Sequence, residues 1–285
     1  NILDKVKKLR EITGVGFKDC KIAIDENNGD IDKSIEFLRK KGIAKANKKS
    51  ERVAADGLVC ISENNNSFSI TEINSETDFV AKNNEFIKFV EDVSKLALLN
   101  FGKVENLLNS EMENKKNVKD NLVALISKIG EKITIRRSDF IKADEFVNFS
   151  YVHAATKKNI GKIGVLVCLK TTKKREELLH FGKQLSMHIA ALSPLSIDKD
   201  GLDKKTLSKE EEIIIEELKN TGKDPKIIEK IAVGKLNKFV SDNTLLNQEW
   251  IIEPKKKVKD VLKEVAGKDT IEVKKFIRFK VGEGV

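Results

Sequence analysis

The chain has 285 residues, 40% hydrophobic and 35% charged, with 54 Lys and Arg against 45 Asp and Glu for a net charge of +9. That length calls for two or more packing units rather than one core, and that composition excludes a disordered chain. The basic surplus permits a nucleic-acid or acidic-protein partner, but the charges are interspersed and few aromatics accompany the basic clusters, so nucleic-acid binding is the weaker reading.

The chain opens at residues 1–5 on an amphipathic helix rather than on the apolar core of a secretion signal. Ile2, Leu3, Val6, Leu9 and Ile12 recur at helical spacing, and Thr13-Gly14-Val15-Gly16-Phe17 breaks that helix with two glycines. Asp19 is expected to cap a second helix through Glu26. Asp30 should cap a third, with Ile31, Ile35 and Leu38 on one face and Gly42 just past its end. Val15 and Phe17 sit in a tight turn of a small unit, where a core role and a contact role both stay open. Residues 40–52, rich in Lys, Ala, Asn and Ser, read as a linker or a polar helix.

Two alternating runs, residues 57–61 and 68–73, flank Asn64-Asn65-Asn66 and predict a strand pair. A helix follows over 85–97. Between strand and helix lies the polar, turn-prone stretch 74–83, which carries Phe79 at its middle. Loops between fixed elements are where binding residues are displayed. The spacing allows Phe79 either as core under the next helix or, with Asp78, as a probe presented to another molecule.

The same theme returns later. Residues 163–167 read as a strand, and 177–190 as a helix whose opening matches 85–89, with Ser186 falling where Ser94 does. Residues 125–130 lead into a strand at 133–137 much as 262–267 lead into 271–275. Two related α+β halves account for this better than one irregular domain. A charged antiparallel helical hairpin interrupts the second half, its helices joined at Thr221-Gly222-Lys223-Asp224-Pro225. Its apolar seam suits either bracing or self-association.

Little points to catalysis. His153, His180 and His188 lack the spacing of a helical metal site, and Cys20, Cys60 and Cys168 are far apart and odd in number. Three unpaired thiols suit a reducing compartment, so the expected location is the cytoplasm. There is no nucleophile elbow and no phosphate-binding loop; Thr13-Gly14-Val15-Gly16 follows a helix, not a strand. His188 reads as a core histidine, whereas His153, beside Tyr151 in a polar connection, reads as a contact residue. The chain is expected to be no enzyme and to need no cofactor or metal.

In order along the chain, R-E-I-T-G-V-G-F-K-D-C at 10–20, Asn28-Gly29-Asp30-Ile31, Val53-Ala54-Ala55-Asp56-Gly57, T-D-F-V-A-K-N at 77–83, Lys128-Ile129-Gly130-Glu131, Ile135-Arg136-Arg137, His188-Ile189-Ala190-Ala191 and Phe276-Ile277-Arg278-Phe279 resemble the bacterial translation elongation factor Ts family. The resemblance implies an α+β fold with an N-terminal three-helix module like a ubiquitin-associated domain, a core of two related α+β subdomains and an inserted antiparallel helical hairpin. On that pattern the segments are a helical module at 1–43, a linker at 44–55, a first core subdomain at 56–140, the first part of a second at 141–196, the hairpin at 197–245, and the rest of the second subdomain at 246–285. Many relatives in that family continue beyond the equivalent of Val285 into a C-terminal helix that also grips the partner.

The implied function is guanine-nucleotide exchange on the GTPase elongation factor Tu, with no direct nucleotide binding and no membrane. Matched residue by residue, the family's intruding pair, which disturbs the Mg²⁺ site so that GDP leaves, falls on Asp78 and Phe79, with Thr77 and Val80 beside it among the partner-binding residues. Val15, Gly16, Phe17 and Lys18 fall on the grip of the N-terminal module, and His153 on a contact with another domain of the partner. The alternative is a basic RNA- or ribosome-binding protein without exchange activity, motivated by the +9 charge and by residues 40–52.

Overall fold

In the computed structural model, residues 1–143, 146–222 and 224–285 are described, and the chain divides into two units. The first comprises Asn1–Lys142, Val152–Gly164 and Phe279–Val285. It begins with three helices, α1 (Ile2–Thr13), α2 (Phe17–Glu26) and α3 (Ile31–Lys49), around a core of Val6, Leu9, Cys20, Ala23, Ile24 and Leu38. α1 stops where Gly14 takes a left-handed φ of 67° and returns its N–H to the Arg10 carbonyl at 2.8 Å.

Two helix boundaries differ from those the residue pattern predicts. α2 starts at Phe17 behind Gly16, so Asp19 is not its cap; it lies in the first turn and receives Lys41 at 3.0 Å and Lys45 at 2.9 Å from α3. Asp30 does cap α3, accepting the Lys33 N–H at 3.0 Å, but the helix runs on through Gly42 to Lys49. The segment read as a linker or polar helix is therefore helical as far as Lys49.

The rest of this unit is a sheet covered by helices. β1 (Asp56–Asn64) and β2 (Ser67–Ser75) form a hairpin closed by Asn65 and Asn66, whose φ values of 46° and 62° are those of a two-residue type I′ turn. After a single helical turn, α4 (Asp78–Ala81), come α5 (Asn84–Leu99), α6 (Val104–Asn109), α7 (Val118–Ile129) and β3 (Ile133–Ile141). Beyond β3 follow β4 (Val147–His153) and the short β5 (Ile160–Gly161), and the sheet has the order β3-β2-β1-β5. α5 buries Phe86, Phe89, Val90, Val93 and Ala97 at helical spacing against Leu58, Ile73 and Ile133. Each large apolar side chain buried there contributes about 1.5–3 kcal/mol, so this face is a main source of the sheet's stability. Glu72, fully buried on β2, accepts from Arg136 at 3.1 Å, Arg137 at 2.5 Å, Asn74 at 3.0 Å and the Gly282 N–H at 2.9 Å. That cluster fastens the last residues of the chain to β2 and β3.

The second unit comprises Ala143–Tyr151 and Val165–Arg278. A three-stranded sheet has the order β4-β6-β9, where β6 is Ile163–Thr171 and β9 is Ile271–Lys280. Between them run α8 (Leu179–Leu192), the hairpin helices α9 (Lys204–Lys219) and α10 (Pro225–Asn243), the small pair β7 (Glu249–Trp250) and β8 (Glu253–Lys257), and α11 (Val258–Ala266). β1 and β2 are the interior strands of the first sheet, and β6 is the interior strand of the second. The fold is thus α+β with three helices at its N-terminus. Ser94 and Ser186 are both fully buried. Ile214, Leu218 and Ala232 form the hairpin seam. Asp224 caps α10 and Pro225 occupies its first turn, while Lys223 of the connecting turn lies outside the described residues. His188 is buried against Trp250, its ring 5.2 Å from the indole.

Candidate functional site

The stretch 74–83 folds as the end of β2, a two-residue loop, the single turn α4, and the Asn83 cap of α5, whose side chain accepts the N–H groups of Glu85 at 2.9 Å and Phe86 at 3.3 Å. Val80 and Ala81 enter the core of the first unit, 6% and 2% exposed. Successive helical side chains point about 100° apart, so with Val80 facing inward its neighbour Phe79 faces out. Phe79 is 79% exposed, more than any other large apolar side chain among the described residues. The reading of Phe79 as core is thereby set aside. An exposed Phe forgoes about 1.5–3 kcal/mol of burial free energy.

The charges around the turn are arranged locally. Lys82 Nζ donates to Asp78 Oδ2 at 2.7 Å and lies 5.9 Å from the centre of the Phe79 ring. This hydrogen bond holds the Asp78 carboxyl below the usual carboxylate range, with the Lys82 and Lys162 charges adding to it, and Asp78 raises Lys82 in return. Lys162 donates its ammonium to Asp56 Oδ1 at 2.5 Å and to the Gly57 carbonyl at 2.9 Å, and its N–H to the His153 carbonyl at 3.1 Å. His153, read as lying in a polar connection, is exposed at the last position of β4. Lys162 is thus a common neighbour of the His153 backbone and of the Asp78 charge.

Two residues that sequence reasoning did not single out hold the turn. Glu131, in the loop before β3, accepts the Thr77 N–H on Oε2 at 3.0 Å and the Thr77 hydroxyl on Oε1 at 2.7 Å. Glu76 accepts the Lys132 N–H at 2.6 Å, which lowers its carboxyl pKa, and Arg52 at 3.3 Å. Glu131 stood in a motif that resembles the family's, but 54 residues separate it from Thr77, and no local periodicity links them.

In the N-terminal module, Val15 and Gly16 lie in the turn between α1 and α2, and Phe17 and Lys18 open α2 rather than sitting in that turn. Val15 is half-buried against the helical core, and its carbonyl accepts the Cys20 thiol at 3.3 Å. Gly16, Phe17 and Lys18 are exposed, Phe17 at 43%. Thr13 and Gly14, just before this turn, line a cleft of about 310 Å³ with Glu85, Lys88, Phe89 and Lys128. Lys128 crosses to Glu85 at 2.7 Å. Thr77 to Val80 therefore share one turn, and Val15 to Lys18 run from the α1–α2 turn into the start of α2. The start of α5, directly after the first, and the end of α1, directly before the second, meet at this cleft. Among the described residues no group of three His, Cys, Asp or Glu side chains could hold a metal ion, and all three cysteines are buried.

A family model described as Elongation factor TS matches residues 76–283. A protein of Xanthobacter autotrophicus named Elongation factor Ts is 42% identical over 283 residues, which cover 98% of this chain and 92% of that protein. Proteins of the same name from Azorhizobium caulinodans and Methylorubrum populi are 42% and 43% identical over the same coverage.

Proposed function

The chain belongs to the elongation factor Ts family, and from that premise we propose that it is a guanine-nucleotide exchange factor for elongation factor Tu. In this reading it binds the GDP-loaded GTPase and promotes release of Mg²⁺ and GDP by wedging Asp78 and Phe79 into its nucleotide-binding domain, with Thr77 beside them and Val80 anchoring the turn in the core. The observation that carries it is a phenylalanine 79% exposed on a turn fastened from both sides. The N-terminal module would grip the same partner through Val15, Gly16, Phe17 and Lys18, and His153 would meet a different part of it. The six-segment division at 1–43, 44–55, 56–140, 141–196, 197–245 and 246–285 belongs to the same proposal. So does self-association through the hairpin, which leaves Ile213, Ile227 and Val233 at 42–56% exposure.

The physical content is linkage. A factor that binds the nucleotide-free GTPase more tightly than the GDP form must weaken GDP binding by the same factor. Burying one exposed aromatic contributes about 1.5–3 kcal/mol, which is hot-spot scale, and a few such groups engaged only in the nucleotide-free state shift GDP affinity by roughly several powers of ten. The chain needs no cofactor for this, because the work is done by differential contact. No described helix is long and apolar enough to cross a membrane, and the expected site of action is the cytoplasm. The test is release of fluorescent GDP from purified elongation factor Tu with and without this protein: strong acceleration is expected, and no acceleration at saturating protein would sink the proposal.

A further inference from the structure

We propose that Glu131 is the positioning residue of the Asp78-Phe79 turn, acting with Glu76 as a reciprocal clamp between two loops. Its functional consequence rests on the exchange-factor reading above. The geometry is a closed ring: Glu131 takes the Thr77 N–H and hydroxyl at 3.0 and 2.7 Å, while Glu76 takes the Lys132 N–H at 2.6 Å. Two adjacent residues of one loop thus bond two adjacent residues of the other. Hydrogen bonds from N–H or O–H groups to a carboxylate are roughly twice as strong as neutral ones.

The turn needs such a clamp. α4 has four residues, and helical structure that short does not sustain itself in water, because nucleation is unfavourable. From below it is held by Val80 and Ala81 in the core. From its leading end it is held at Thr77, the residue directly before Asp78, and the Thr77 side chain makes no cap bond to the helix itself. That hydroxyl is committed to Glu131 instead, so the carboxylate, not the turn's own cap, sets where Asp78 and Phe79 begin. Glu131 lies at the entry to β3, which pairs along β2 from Ser75 to Phe68. The clamp therefore ties the displayed aromatic to the sheet. A rigid anchor delivers its contact area without first losing conformational freedom, and a loosened one does not.

A clamp that serves Phe79 and a residue that merely supports the fold behave differently. The full chain is prepared with Glu131→Ala, with Phe79→Ala, and with both. GDP release from purified elongation factor Tu is one readout, and amide hydrogen exchange over residues 74–82 of the free protein is the other. Glu131→Ala should speed exchange of the Thr77 amide, lower GDP-release efficiency about tenfold, and cause no further loss once Phe79 is already Ala. Thr77→Val, which loses only the hydroxyl arm, should show a smaller loss in the same direction with the fold intact. Unchanged amide exchange in Glu131→Ala, or a loss that adds in full to that of Phe79→Ala, overturns the clamp. If the unaltered chain does not accelerate GDP release, the exchange-factor reading fails by itself, and the amide-exchange result still decides the clamp.

Discussion

Asp78 and Lys82 form an ion pair within one helical turn, Oδ2 to Nζ 2.7 Å, on the solvent side of the turn that displays Phe79. Both groups are exposed, so the pair adds little to stability. Its effect is on the carboxylate, which is kept charged and pointed along the turn.

Lys82→Ala should therefore raise the Asp78 pKa toward the ordinary carboxylate value while leaving the melting temperature unchanged. Side-chain carboxyl NMR through an acid titration measures this directly. An unmoved Asp78 would transfer the cause to Lys162, the other cation acting on it.

Glu72 predicts the acid behaviour of the first unit. Burial pushes its carboxyl up, but the Gly282 N–H, Asn74 and Arg137 together outweigh that and hold it below the usual 4.5. A carboxylate depressed in the folded state contributes stability that is present above the unfolded value and is lost as pH falls through the folded one. The loss should thus begin below about pH 4.5. Glu72→Gln should cost about 2–4 kcal/mol at neutral pH, since it removes the buried carboxylate that pairs with Arg136 and Arg137 and leaves Arg137 only the longer pair with Glu283 at 3.9 Å. It should also flatten the acid limb; denaturant titrations at pH 7 and pH 4 measure both.

His188 acts in a different window. Its Nδ1 accepts the Ile251 N–H at 3.4 Å, so Nε2 carries the proton and donates to Gln248 Oε1 at 3.0 Å. Burial lowers its pKa to about 4, against a weaker opposing pull from Gln248. Between pH 6.5 and 4 the unfolded chain binds a proton there that the folded chain does not, so stability declines across that range and levels off below it. The full effect is up to roughly 3 kcal/mol. His188→Gln should flatten the stability profile between pH 6.5 and 4, and an unchanged slope would remove His188 as its source.

The α+β class, the N-terminal three helices and the Asn65-Asn66 hairpin were legible because each is written in local periodicity and turn chemistry. The end of α3 was not. Gly42 reads as a helix stop, yet it is tolerated inside the helix because α7 comes close: a Cβ on Gly42 would stand 3.3 Å from Val123 Cγ1. A glycine in a helix interior costs about 1 kcal/mol relative to alanine, a cost that tertiary contact overrides. Asp19 looked like a cap because its partners Lys41 and Lys45 lie more than twenty residues away. The outward direction of Phe79 depends on Val80 finding the core, and the hold on Thr77 depends on Glu131. Both are relations between distant segments, which spacing in one segment does not encode. The family resemblance supplied the candidate residues at 77–80 and 15–18; it did not supply the clamp.

In the proposed function Phe79 is a displayed wedge and not a structural residue. The direct measurement compares the chain with its Phe79→Ala variant in accelerating GDP release from purified elongation factor Tu, with thermal unfolding followed on the same samples. Exchange efficiency should fall about tenfold or more, as for a hot-spot aromatic, with the melting temperature nearly unchanged because Phe79 is 79% exposed. Full exchange activity in Phe79→Ala, or a loss of activity that tracks a large loss of stability, would contradict it.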